Sequence, residues 1–156
     1  MVKGGLDPNF DYVIRPAKKA TTASSAVDPG DVLIKNTAIN PDGFKKSDAA
    51  GSILPAAVNV NRAEDGEADL EVILKGPVRV VAEEAIEAGR WVKTGAAGGV
   101  MQWDDGVDAE NLKKGYFAGL HDKPVTGSPA QLQDPQTIKD AALNDVIIVD
   151  WFGGMS

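Results

Sequence analysis

The sequence predicts an all-β protein, a small barrel or sandwich of short antiparallel strands with an extended N-terminal arm. Three observations predict it. Apolar residues fall in short runs or alternate with polar ones, the period of a strand. Turn formers punctuate those runs throughout, with 17 Gly and 9 Pro among 156 residues. No segment carries the long 3.6-residue apolar rhythm of an amphipathic helix.

The elements follow in order. Residues 1–27 read as the arm, because Ala17–Ala26 (AKKATTASSA) is small and polar. One apolar island interrupts it, and alternation places Phe10, Tyr12 and Ile14 on one side of an extended segment. The barrel domain then spans residues 28–156. Asp28-Pro29-Gly30-Asp31 is a turn leading into a strand at Val32–Ile34, and Asn40-Pro41-Asp42-Gly43 is a second turn. Ile53–Asn61 and Leu70–Leu74 read as a hairpin with a long loop. Gly76-Pro77 should turn the chain into a strand at Val78–Val81. Ala82–Ala88 (AEEAIEA) reads as one or two helical turns with Glu83, Glu84 and Glu87 on a wet face and Gly89 as left-handed cap. Trp91–Thr94 and Val100–Trp103 flank the tight turn Gly95–Gly99. A helical turn is expected at Asp108–Lys114 and a strand at Tyr116–Leu120. Residues 121–144 form an insert with a short helix at Pro135–Leu143, N-capped by Asp134. Val146–Trp151 is the last strand. The total is about eight or nine strands.

Composition narrows the function. A hydrophobic fraction of 43% and a charged fraction of 25% are those of a globular domain. No cysteine is present, so disulfides and thiolate metal sites are excluded, and the single histidine excludes a multi-histidine centre within one chain. No apolar run approaches the roughly 18 residues of a membrane helix. The N-terminus lacks an apolar signal core. The net charge of −7 is the wrong sign for a nucleic-acid binder. It is unevenly spread: residues 1–27 carry +2 and the remainder −9. A mildly basic arm suits an acidic partner, while the body faces water.

No constellation of acid, base and nucleophile is apparent, so the chain is expected not to be an enzyme and to use no cofactor. His121 and Asp122 are sequence neighbours that a strand would point apart, and Ser128 sits in a turn rather than a Gly-x-Ser-x-Gly elbow. Asp104, Asp105, Asp108 and Glu110 are oxygen-rich, yet their spacing is not that of a calcium loop, and a solvated loop is the simpler reading. The glycines of 95–99 lack the Gly-Lys-Ser/Thr ending of a phosphate loop. What remains is aromatic. Phe10 and Tyr12 near one end, with Trp151 and Phe152 near the other, either cover the bottom of the barrel or anchor a partner subunit, and in the second reading Ile14 and Arg15 join the contact.

Leu70–Trp103 (LEVILKGPVRVVAEEAIEAGRWVKTGAAGGVMQW) has a layout of the type Gly-x-Val … Ile-x-Ala-Gly-x-x-Val … Gly. With Pro29-Gly30-Asp31-Val32-Leu33 before it, and Tyr116–Leu120 and Asp145–Asp150 after it, the chain resembles the capsid cement, or head decoration, proteins of tailed phages and related viruses. The likeness falls between Asp28 and Asp150 and rests on turn-and-strand patterns. The arm and the insert at 121–144 depart from the short members of that family.

The resemblance implies a structural virion protein. It would bind the outer surface of an assembled icosahedral capsid as a homotrimer and clamp neighbouring major capsid protein subunits. No direct nucleic-acid or membrane contact is expected. An acidic body is repelled by packaged DNA and belongs outside the shell, and many copies make weak contacts collectively strong. On this reading, removal of residues 1–20 should weaken shell binding and leave the barrel folded. Two rivals stand beside it. A biotinyl- or lipoyl-like carrier barrel would need its modified lysine at Asp122-Lys123-Pro124, where proline misfits the tight hairpin. A glycan-binding β-sandwich would use Trp91 or Trp103 as a stacking platform.

Overall fold

The computed structural model describes residues 3–4, 12–19, 26–36, 43–64, 67–120, 124–125, 131–132 and 139–153. Its strands are β1 (Val13–Lys19), β2 (Val32–Lys35), β3 (Gly43–Lys46), β4 (Ala56–Asn59), β5 (Asp69–Val81), β6 (Arg90–Thr94), β7 (Val100–Gln102), β8 (Gly115–Phe117), β9 (Pro124–Val125), β10 (Gln131–Leu132) and β11 (Val146–Trp151). The chain is all-β, as expected. The described residues contain no α-helix and a single 3₁₀ turn at Glu110–Leu112.

Five strands close on themselves in the order β1-β3-β2-β4-β5, with β5 returning to β1. All pairs are antiparallel except β1 with β3, where Lys18 faces Gly43 and Lys19 faces Phe44. Each strand contributes apolar side chains to the barrel's interior: Ala17, Leu33, Phe44, Ala57, Leu70 and Val72 are buried together. The alternate residues of β2 and β4, namely Val32, Ile34, Ala56 and Val58, face the other way into a larger core. That core is completed by the strands that follow, in the order β5-β11-β8-β6-β7. Just past β5, Ala82 bridges Val100 of β7 and folds this sheet back on itself.

The 13 residues of β5 tie the two cores together. Sequence expects a turn at Gly76-Pro77. The strand instead runs through it, because Gly76 and Pro77 pair with Trp151 and Asp150 of β11. Gly76 takes φ 128°, which a side chain would resist, and this resets the faces of the strand. Before it, Leu70 and Val72 point into the barrel and Ile73 into the larger core; after it, Val78 and Val80 point into the larger core. One continuous strand therefore supplies walls to both.

Three other expectations are corrected. Val13–Lys19 is not an arm outside the barrel but one of its walls, bonded to β5 from Val13↔Lys75 to Lys18↔Asp69. The sequence hides this because only Ala17 and Lys19 of the seven are buried. Deleting residues 1–20 would thus open the barrel rather than trim a tail. Ala82–Ala88 is not helical: Ile86 is fully buried and exchanges backbone bonds with Ala141, and Glu83 accepts bonds from the Ala97 and Gly99 amides. A helix there would forfeit both sets. Gly89 does adopt the positive φ expected of it, at 85°. The helix expected at Pro135–Leu143 falls partly outside the described residues. Within them, Ala141 serves the Ile86 bridge instead. Strand β3 was not anticipated, because Gly43-Phe44-Lys45-Lys46 carries too little alternation. Of the insert, β9 and β10 form a separate two-stranded pair.

The Asp28–Asp31 turn is held by its last carboxylate. Asp31 is 1% exposed, and its side chain accepts from the Asp28 amide at 2.8 Å and from Lys3 at 2.8 Å, with Lys46 at 3.5 Å. Gly30 sits at φ 84°, where a Cβ would lie 2.6 Å from the Gly4 amide nitrogen. Lys3-Gly4 is in this way strapped across the turn and bonded to the Arg79 carbonyl at 3.0 Å.

Candidate functional site

Register builds an exposed aromatic face. Strands β6 and β8 pair antiparallel with Trp91 opposite Tyr116, so the two rings meet edge to face at 5.1 Å. β11 pairs with the other edge of β8, placing Trp151 opposite Gly115. Gly115 is required there, since a Cβ would lie 2.4 Å from Val149 Cγ1. Strand alternation then turns Trp151 inward and Phe152 outward. Phe152 packs its ring on Trp91 at 5.9 Å and donates its amide to the Lys114 carbonyl at 3.0 Å. Trp91 keeps 37% of its surface exposed.

A cleft opens beside Trp91. Trp103, just after β7, bonds its amide to the Trp91 carbonyl at 2.8 Å. Its indole N–H donates to the Ala109 carbonyl at 2.8 Å, so the ring is fixed. The Lys113 ammonium lies over both indoles, 4.8 Å from the Trp91 ring and 4.2 Å from the Trp103 ring. Glu110, one 3₁₀ turn earlier, holds it at 2.9 Å. The cleft has a volume of about 310 Å³ and is lined by Arg90, Trp91, Trp103, Asp105, Glu110 and Lys113.

The acidic loop of 104–110 is only partly the solvated feature expected. Asp108 is largely buried, accepts two bonds from Lys93 at 2.9 and 3.0 Å, and accepts the Asp104 amide at 2.9 Å. Burial alone would raise its carboxyl. The Lys93 hydrogen bond and charge, with the Asp104 amide, outweigh that and hold it below its ordinary value. Asp108 is thus a structural pin, whereas Asp105 and Glu110 remain exposed at the cleft. Among the described residues no three His, Cys, Asp or Glu side chains are grouped as a metal site would need.

The sequence-selected residues have different fates. Phe10 lies outside the described residues, as do His121 and Lys123. Tyr12 and Ile14 share a side, as alternation predicts, and both pack on the larger core, while Val13 between them is 40% exposed. Arg15 is exposed and borders a shallow groove with Ile14, Pro16, Leu70 and Glu71. Trp151 is 3% exposed with its indole N–H on the Ala56 carbonyl at 3.2 Å, so it is core. Phe152 alone of the C-terminal pair joins the aromatic face. Sequence reasoning missed Tyr116 and Lys113, which reach the site through cross-strand register and a 3₁₀ turn. It also missed the exposed Ile53 (67%) and Leu54 (43%). Their loop leads directly to Ala56, whose amide is bonded to the Gly153 carbonyl beside Phe152.

Lys114, next to Lys113, is fully buried, and its ammonium donates to the Asn111 carbonyl at 3.0 Å. Burial pushes its pKa down. Between that lowered value and the ordinary one, the unfolded chain binds more protons, so stability should climb with pH through that alkaline window. Lys114→Met should raise stability at pH 7 by about 1 kcal/mol and flatten the climb. Urea unfolding of both proteins at pH 7 and pH 10 measures this; a destabilised variant with the climb intact would refute it. No protein-family model and no curated protein matches the chain.

Proposed function

We propose that the chain is a structural virion protein that binds the outside of an assembled icosahedral capsid and reinforces contacts between major capsid protein subunits. The observation that carries this reading is where the motif of the cement-protein resemblance falls. Val78, Ile86 and Val92 are core residues at 0–1% exposure, and Gly76 and Gly89 take the positive φ values that the strand path demands. The likeness therefore lies in framework positions that set the path of the strands.

The surface supplies the means of adhesion. Trp91, Tyr116 and Phe152 form an aromatic face on adjoining strands, with Ile53 and Leu54 exposed on the loop that runs to it. Large apolar side chains on a rigid scaffold bind at little entropic cost. The −9 charge of residues 28–156 keeps that body away from packaged DNA. Assembly as a trimer at local three-fold positions would multiply the contacts.

The test is co-sedimentation with heads of the cognate virus. The chain should pellet with expanded, DNA-filled heads and not with unexpanded procapsids. The double variant Ile53→Ser/Leu54→Ser, whose side chains are outside the core, should lose occupancy by about tenfold or more while unfolding at the same temperature. Equal binding to both particle types, or binding to neither, would overturn the proposal.

A further inference from the structure

We propose that Asp105-Gly106, at the tip of the 104–110 loop, is a site of spontaneous covalent modification, where the peptide link moves from the α-carboxyl to the β-carboxyl of Asp105. The reaction makes no demand on shell adhesion. Three observations place it here. The electrophile is free, since the Asp105 carboxyl is exposed and has no hydrogen-bond or ion-pair partner among the described residues. The nucleophile is free too, since the exposed Gly106 amide donates to no acceptor among the described residues. Nothing shields that amide: a Cβ on Gly106 would meet no atom within 4 Å, and glycine brings no side chain over its own nitrogen.

The loop also lets the two groups meet. Its ends are pinned: the Asp108 carboxylate accepts the Asp104 amide at 2.9 Å, the Asp108 amide donates to the Asp104 carbonyl at 2.8 Å, and Lys93 holds Asp108. Between those pins the bond across the tip, from the Val107 amide to the Asp104 carbonyl, is long at 3.3 Å. The Asp105-Gly106 peptide can therefore turn without opening the barrel, and Gly106, at φ 79°, tolerates either sign of that angle. Ring closure within one dipeptide needs a rotation and no encounter.

The atoms balance. The Gly106 nitrogen attacks Cγ of the neutral Asp105 carboxyl. The N–Cγ bond forms, and the amide proton and carboxyl hydroxyl leave together as water, giving a succinimide. Water then adds to the carbonyl on the Cα side and breaks its bond to nitrogen. The main chain now runs through Cγ, one carbon longer, and a free carboxyl stays on Cα, so composition and charge are unchanged. Addition at Cγ returns aspartate. Asp42-Gly43 is the same dipeptide in a different setting, because Gly43 is buried in β3 and paired with Lys18. Asp65-Gly66 lies outside the described residues.

The experiment keeps the full chain warm for several weeks in neutral buffer, folded and, in parallel, in concentrated urea. Electron-transfer peptide mapping locates isoaspartate, and methylation by an isoaspartyl methyltransferase with S-adenosylmethionine counts it. Folding should slow the reaction at Asp105 by less than about threefold and at Asp42 by more than about tenfold. Asp105→Glu must close a six-membered ring and should abolish the signal at that position. Asp105→Asn loses ammonia in place of water and should raise it about tenfold. Both variants should unfold at the wild-type temperature, since the side chain touches nothing. Slowing at Asp105 by more than about threefold on folding, equal rates at Asp105 and Asp42 in the folded chain, or a signal that survives in Asp105→Glu would overturn the proposal. Head binding is measured separately, so either property can fail without the other.

Discussion

Trp151→Ala will cost the fold about 3–5 kcal/mol, measured as a fall in the urea midpoint. The indole is 3% exposed and sits in the larger core with Ala56, Val149 and Phe117. Its loss leaves a cavity where β11 meets β4 and removes the bond to the Ala56 carbonyl. Trp151→Phe keeps most of the volume and loses the N–H, so it should cost about 1–2 kcal/mol. If Trp151 anchored a partner instead, the alanine variant would unfold at the wild-type midpoint and lose only binding. Phe152→Ala is the useful contrast. Its ring is half-buried on Trp91 and outside the core, so it should cost less than half as much.

Asp31→Ala should be the second large effect, about 2–3 kcal/mol. The substitution strips the partner from the Asp28 amide inside a tight turn and releases both Lys3 and Lys46. The lysines can turn to water, so most of the cost is the orphaned amide and the loosened turn. That turn also supports the larger sheet, because the Gly30 amide donates to the Asn59 carbonyl at 2.7 Å and the Asn59 amide donates to the Asp31 carbonyl at 3.0 Å. Asp31→Asn keeps an acceptor for the amide and loses the charge. It should recover about half of the loss, and the remainder should shrink in high salt. Equal destabilisation by both variants at every salt concentration would contradict this division.

The class of fold was legible because it depends on local signals. Alternation at Val58–Val60 and Leu70–Leu74, and the turns at Gly30, Gly89 and 95–99, each leave their mark within a few residues. Val146–Trp151 emerged at its expected bounds for the same reason. What failed depended on distant partners. β1 contains a proline, lysines and few apolar residues, and only the open edges of β3 and β5 make it a strand. Ala82–Ala88 has helix-forming composition, and tertiary bonds from Glu83 and Ile86 override it. Glu83 also explains the glycines beside it, since a Cβ on Gly95 or Gly99 would strike its side chain at 2.1 or 2.8 Å.

The candidate site was half legible. Trp91, Trp103 and Phe152 stand out as rare residue types, but which of them meet depends on register. Trp151 and Phe152 look alike in sequence, and the strand's alternation sends one to the core and the other to the surface. Tyr12 and Ile14 lie on the larger core beside the start of β1, a position no local pattern could specify.

If, as proposed, this barrel strengthens a shell by adhering to it, decorated heads should retain their DNA on heating. Undecorated, DNA-filled heads of the cognate virus are warmed with and without saturating protein, and released DNA is measured by dye fluorescence. Release should come at a distinctly higher temperature for decorated heads, with the gain lost in Ile53→Ser/Leu54→Ser. Identical release curves with the protein demonstrably bound would contradict it.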